Sequence, residues 1–355
     1  MFRLAPGAMQ KKNYNLHNGE LAEGCRLCME GAKLVLFISG VCNRTCYYCP
    51  LSEKRKGVDN SWANERPVSS IEDIFLEAEQ MKALGAGITG GDPDLRMDKT
   101  LWYIRALKEA YDDFHIHMYT SNALDANTLR KLRESGLDEM RYHILSPAAW
   151  KSLRLSKKLG IPSGIEIPAV PEEEETLLGI IDKAMAAKAD FVNLNELEFS
   201  DTNSTELLKR GFEVKDDGFA ASGSYETALA VLEKRNMNIH FCTSRYKDAV
   251  QLKRRLLRIA KNTAKEYEEI TEDGLLLKGV VMPTGQLGLR ILRNRIIKRY
   301  SVPPELIQVD AAKNRLETTR EIASFLSDEL HGKTKCYSIE EYPTYDRLET
   351  EVIPL

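Results

Sequence analysis

Five of the chain's seven cysteines fall between Cys25 and Cys49, and three of those form the run Cys42-Asn-Arg-Thr-Cys46-Tyr-Tyr-Cys49-Pro. Thiolates at that spacing in a tight loop suit three irons of a cubane cluster, because soft sulfur ligands select iron–sulfur clusters or zinc. Three ligands in place of four leave one iron open to an outside group. Structural zinc sites more often combine two Cys pairs than a triplet. A second set is looser. Cys25-Arg-Leu-Cys28 precedes the triplet, and Cys242 comes more than two hundred residues later, two positions after His240. If that segment is a strand, His240 and Cys242 share one face. Cys25, Cys28 and Cys242 with an open fourth position would suit an auxiliary iron–sulfur cluster beside substrate, whereas adding His240 would suit zinc. The plainer alternative is inert buried thiols, which is how Cys336 is read.

Periodicity shows what must position these groups. Lys33–Ser39 is a short apolar run of strand length, directly before the triplet. Strands are then expected at 86–89, 114–120, 139–145, 163–170 and 191–199, each followed by a helical pattern. Asp125 caps one helix, Pro147 opens another, and Glu172 to Glu175 supply acid where a helix N-terminus favours it. Repeated strand–helix order implies parallel strands with helices outside. The fold class is therefore α/β, a partial (β/α)6 barrel, since a closed eight-stranded barrel takes about 250 residues. A flat doubly wound sheet is the competing architecture. Function is expected on the loops after the strands. The expected division is an N-terminal CxxC segment (1–32), the barrel (33–200) and a C-terminal α+β region (201–355) that packs over the barrel opening. In that last region helices are expected at 225–235, 246–267, 287–300 and 313–330.

CxxxCxxC after the first strand of such a barrel, with an aromatic residue before the last cysteine, resembles the radical S-adenosylmethionine superfamily. The resemblance implies a [4Fe-4S] cluster on Cys42, Cys46 and Cys49, with adenine packed at Tyr48. It also implies reductive cleavage of S-adenosylmethionine to a 5′-deoxyadenosyl radical that takes hydrogen from substrate, and so an electron donor as partner. Gly90-Gly91-Asp92-Pro93 at the second strand end is similar to the family's GGE(P) segment, with Asp in place of Glu, and would hold the methionine amino group. Thr120, Ser121 and Asn122 resemble the family's Thr-Asn strand end. Glu166 lies near a loosely matched GxIxGxxE pattern. Residues 33–199 carry the resemblance. The chain as a whole looks like archaeal relatives of the pyruvate formate-lyase activating enzyme, which adds activation of a partner protein by a glycyl radical as an alternative.

Three strands alternate polar and apolar residues, so His115, His117, Arg141, His143, Asn193 and Asn195 are candidate lumen residues for substrate or cofactor. Asn64, Glu65 and Arg66 are read as a loop able to fold over the cleft. Between Arg245 and Tyr300 stand fourteen Lys and Arg against six Asp and Glu, an excess of +8 within a net charge of −3. Such a stretch fits an RNA partner or a solvated helix face. Small-molecule or RNA substrates are both kept, and a zinc-binding nucleic-acid module is the reading from another class. Nowhere do about 18 apolar residues run together, so no membrane span is expected. The first thirty residues lack an apolar core segment, so no signal peptide is expected, and the expected location is the cytoplasm.

Overall fold

A computed structural model describes residues 10–12, 15–216, 218–285 and 287–355. The chain divides into two compact units, one of residues 1–79 and 83–252, the other of residues 80–82 and 253–355.

The first unit is built on β1 (Lys33–Phe37), β2 (Gly85–Thr89), β3 (His115–Thr120), β4 (Glu139–Tyr142), β5 (Ser163–Ala169), β6 (Val192–Glu196) and β7 (Ile239–Cys242). These seven strands are parallel and neighbour one another in that order. The sequence reading expected six and ended the barrel at residue 200. The difference is β7, which pairs in parallel with β6 and antiparallel with Asn15–Asn18. The crossover to β7 carries helices Ser204–Lys209 and Ser224–Lys234, and this longer connection breaks the rhythm without ending the sheet. At the other edge, the hairpin of Ser61–Ala63 and Arg66–Val68 pairs with β1.

Side chains from all seven parallel strands line one cavity of about 700 Å³. A flat sheet cannot gather its strands around a single space, so this sheet is curled into an open barrel. Local chemistry sets the helices outside. Asp125 accepts from the Thr128 backbone N–H at 2.7 Å, opening Ala126–Glu134. Pro147 occupies the first turn of Pro147–Lys158. One helix stands apart: α1 (Glu23–Met29) lies ahead of β1, and its Gly24 meets the lumen. A Cβ on Gly24 would come within 2.3 Å of His117 Nδ1 and 2.6 Å of Arg141 Nη2, so only glycine lets α1 sit there.

The second unit is an antiparallel sheet in the order Ile307–Asp310, Arg315–Thr318, Leu276–Pro283, Thr334–Glu341, Glu349–Pro354, with Glu269–Ile270 also on Leu276–Pro283. Helices Leu289–Tyr300 and Arg320–Glu329 contribute Leu292, Ile296, Ala323 and Leu326 to its core, which also holds Cys336. Two helices expected from the sequence differ. The one expected at 313–330 begins at Arg320, because Thr319 caps it and residues 307–318 form a strand pair. The one expected at 246–267 is broken by a π-helical turn at Lys247–Leu252 and ends at Thr263. Within the positive stretch, Lys278 is buried against Glu268, Glu317 and Glu341, and Arg293 is spent on the carbonyls of Ile307 and Pro304. No helix among the described residues is long and apolar enough to cross a membrane.

Candidate active site

The loop after β1 is fixed from below by backbone. Gly91 N–H donates to Ser39 O at 2.8 Å, and Asp92 N–H donates to Val41 O at 2.9 Å. This close approach is why two glycines end β2. A Cβ on Gly91 would meet Val41 O at 2.3 Å, and Gly90 adopts φ +151° with its Cβ direction 2.4 Å from Ser39 O. The glycine pair therefore seats the cysteine loop itself, a role the sequence reading had assigned only toward the cofactor.

Residues between the cysteines are anchored as well. Arg44 donates to Asn122 Oδ1 at 2.8 Å and to Ser121 O at 3.2 Å, and Asn43 donates to Asn122 Oδ1 at 3.3 Å. Behind the loop, Asn203 donates to the carbonyl of Tyr48 at 3.1 Å, and Thr202 donates to that of Cys49 at 3.4 Å. Sequence reasoning missed these two; only their place in the long crossover to β7 brings them here. Burial pushes the Cys42 and Cys46 thiols up.

Cys42, Cys46 and Cys49 open on a pocket of about 500 Å³, together with Tyr48, Gly90, Gly91, Pro93, Thr120 and Ser121. Three residues read as cofactor-binding do not line it: Asp92, Asn122 and Glu166. Asp92 is buried, and its carboxylate accepts from Thr120 Oγ1, the Ser121 N–H and Ser121 Oγ at 2.9, 2.8 and 2.6 Å. Asn122 is occupied by Asn43, Arg44 and Asp94. Both act as ties between β2, β3 and the cysteine loop. The shorter Asp replaces the family's Glu at the position that makes this tie.

The larger cavity adjoins this pocket through Tyr48, Pro50, Tyr119 and His143, which line both. Tyr48 Oη lies 2.7 Å from His143 Nε2, and His143 Nδ1 lies 2.9 Å from the Glu166 carbonyl. An Nδ1–H donating to that carbonyl leaves Nε2 to accept from the Tyr48 hydroxyl, and burial keeps the ring neutral by lowering its pKa. Inside the cavity, Arg141 donates to Glu139 at 2.6 Å, Glu166 at 2.9 Å and Tyr119 at 3.2 Å. Glu166 also accepts from Asn193 and Asn195, each at 3.0 Å. Burial opposes its ionisation, yet Arg141 and the two amides hold its carboxyl below the ordinary value.

The expected polar lumen is thus brought together at His117, Arg141, His143, Asn193 and Asn195. Glu166 belongs with them and is absent from the cofactor pocket, which moves it from the cofactor group. His115 does not line the cavity; it lies 2.7 Å from Lys33 Nζ, near the start of β3. Lys33 itself is a lining residue that sequence reading passed over as part of an apolar run, and burial lowers its pKa to about 7. Asn64 and Arg66 do not form a lid. They cap the edge hairpin, where Asn64 bonds the Val35 N–H at 3.0 Å and Glu77 at 3.0 Å, and Arg66 pairs with Glu77 at 3.1 Å.

Cys25, Cys28, Cys242 and His240 all line the larger cavity. Among the described residues, however, no three His, Cys, Asp or Glu side chains converge in the way ligands of a single ion do. For the triplet this is compatible with a cubane, whose thiolates each take a different iron and stand around a cage. The donor set there fits the cluster: three thiols, a glycine-bounded floor and one open side toward the pocket.

Comparison with known proteins agrees with this chemistry. Residues 36–149 match the family described as the radical SAM superfamily, and residues 274–355 match a domain of unknown function. The chain is 41% identical over 351 residues to the Methanocaldococcus jannaschii protein named "Putative glycyl-radical enzyme activating enzyme", covering 95% of this chain and 93% of that one. Two solved structures are similar more distantly. Streptococcus suis SuiB bound to S-adenosylmethionine matches with TM-score 0.41 and 16% identity, over 60% of this chain and 50% of that one. The Kitasatospora setae radical S-adenosylmethionine methyltransferase TsrM, with cobalamin and a [4Fe-4S] cluster bound, matches with TM-score 0.38 and 13% identity, over 62% and 51%. This chain thus spans about half the length of those two structures. A family match over the cysteine loop and a relative matched along nearly the whole chain lead to one conclusion: the protein belongs to the radical S-adenosylmethionine superfamily and is an enzyme that works with a [4Fe-4S] cluster and S-adenosylmethionine.

Proposed function

We propose that this enzyme abstracts hydrogen from a small polar molecule held inside the barrel. The observation that carries this reading is the cavity of about 700 Å³ that adjoins the cofactor pocket through Tyr48, Tyr119 and His143. Its volume is that of a small-molecule site, and Arg141, Glu166, Asn193 and Asn195 on its wall are held by one another. When bound at Cys42, Cys46 and Cys49, the reduced cluster with S-adenosylmethionine supplies a 5′-deoxyadenosyl radical. The chain's own residues do the rest. Tyr48 and His143 stand at the junction of the two spaces, and their mutual hydrogen bond holds both rings in place. Arg141, paired with two carboxylates, presents no free positive charge, while Asn193 and Asn195 hold Glu166 ionised as an acceptor for substrate donors.

The name of the archaeal relative supports a second reading, activation of a partner enzyme by a glycyl radical. One experiment separates the two. The anaerobically reduced enzyme is incubated with S-adenosylmethionine and either a small-molecule filtrate or the protein fraction of a cell extract. 5′-Deoxyadenosine formation above the uncoupled rate with the filtrate is the expected result. No stimulation by the filtrate, with a glycyl-radical doublet appearing in the protein fraction, overturns it in favour of the activase.

A further inference from the structure

We infer that Cys25, Cys28 and Cys242 ligate a second iron–sulfur cluster inside the barrel, with the His240 imidazole as donor to its fourth iron. Inert buried cysteines pack against apolar side chains, as Cys336 does among Val281, Leu316 and Ala323. These three face an open cavity. They reach it from two directions: Cys25 and Cys28 from α1, which Gly24 admits to the lumen, and Cys242 from the end of β7. The two segments are distant in sequence and brought together by pairing of β7 with β6.

His240 is the independent observation. It is 6% exposed, lines the same cavity, and neither ring nitrogen has a hydrogen-bond partner. A buried polar ring left unsatisfied on both sides is costly and rare.

Spacing decides between a single ion and a cluster. His240 and Cys242 are two apart on a strand, which separates their backbones by roughly 6.6 Å. Cys25 and Cys28 are a helical i, i+3 pair, with Cβ atoms roughly 5–6 Å apart. Among the described residues no three such donors converge on one point as a single zinc requires, whereas a cage takes each thiolate on a different iron. N–H donors already address two of the sulfurs. Arg141 Nη2 and Asn193 Nδ2 lie 3.4 Å from Cys25 Sγ, and Gln251 Nε2 lies 3.5 Å from Cys242 Sγ. Such bonds to cluster sulfurs orient ligands and tune potential.

The test uses the full chain with Cys42, Cys46 and Cys49 all replaced by Ala, reconstituted anaerobically with ferrous iron and sulfide. About four irons and four sulfides per chain are expected, as for one cubane. Adding Cys242→Ser should remove them. His240→Cys, which replaces a neutral donor by an anionic one, should retain the iron and lower the reduction potential in an EPR-monitored titration. Absence of iron in the triple variant, zinc in its place, or iron that survives Cys242→Ser overturns the cluster. An unchanged potential in His240→Cys removes His240 from the ligand set. If the triple variant does not fold, the intact chain carries the same test, with Cys242→Ser expected to lower iron from about eight to about four per chain. Iron content is read without substrate turnover, so this inference fails or stands separately from the proposed function.

Discussion

Arg141→Met tests the reasoning about the lumen most severely. Arg141 is 4% exposed, and its guanidinium bridges two carboxylates, Glu139 at 2.6 Å and Glu166 at 2.9 Å. Met keeps most of the aliphatic volume and removes the charge. Breaking a buried ion pair from one side costs about 3–5 kcal/mol, because the remaining charge is left uncompensated. Here Glu166 keeps two amide donors, while Glu139 keeps the Gly24 N–H at 3.2 Å, so the middle of that range, about 4 kcal/mol, is expected. The readout is favourable: all three tryptophans, Trp62, Trp102 and Trp150, lie in the barrel unit, so their fluorescence follows its unfolding alone. With a urea slope of roughly 3 kcal/mol per molar for a unit of this size, the midpoint falls by roughly 1–1.7 M. The pH dependence gives a second check. In the parent, Glu166 has a lowered pKa, so its contribution is present above its unfolded pKa and is lost as pH falls through the folded one. In Arg141→Met burial acts on the carboxylate without that offset and raises its pKa, so the penalty shrinks on going from pH 7 to pH 5. Adding Glu139→Gln should recover part of the loss. A midpoint shift below about 0.3 M at pH 7, or a penalty that grows at pH 5, would refute the account of the network.

The cofactor-side predictions are sharper in sign than in size. Replacing Cys42, Cys46 and Cys49 together by Ala abolishes reductive cleavage of S-adenosylmethionine, assayed as 5′-deoxyadenosine; residual cleavage would remove them as the ligands. Gly91→Val, whose Cβ meets the Val41 carbonyl at 2.3 Å, is expected to lower iron retention along with S-adenosylmethionine affinity, and normal iron with weakened affinity alone would return the glycine to a purely cofactor-facing role. Lys33 has its pKa lowered by burial from 10.5 to about 7, so the unfolded chain binds more protons between those values and barrel stability rises with pH there, by about 1.4 kcal/mol per unit. That rise, followed by tryptophan fluorescence between pH 7 and pH 9, should be absent in Lys33→Met.

How far these residues were legible differs by kind. CxxxCxxC carries its meaning in one short segment, because three thiolates on a loop need no distant partner to announce metal chemistry. The strand–helix alternation is equally local, and so is the period-two pattern that put His117, Arg141, His143, Asn193 and Asn195 on one side of their strands. Motif analogy was less reliable wherever a polar side chain had a choice of partners. Asp92 and Asn122 lie at the expected strand ends, yet their side chains are taken by Thr120, Ser121, Asn43 and Arg44. Glu166 lies on the expected strand, but Arg141 draws it into the lumen.

What the sequence determined by itself is therefore the chemistry of the cysteine loop, the alternation of strands and helices and the face each lumen residue occupies, since these follow from spacing within a few residues. Tertiary structure alone decided that β7 belongs to the barrel, that Gly24 admits α1 to the lumen, and that Cys25, Cys28, His240 and Cys242 share one cavity. Those facts depend on pairing and packing between segments distant in sequence, from β6 with β7 to Cys25 with Cys242. Periodicity reports which side of a strand a residue is on, but it carries no information about which strand lies next to it.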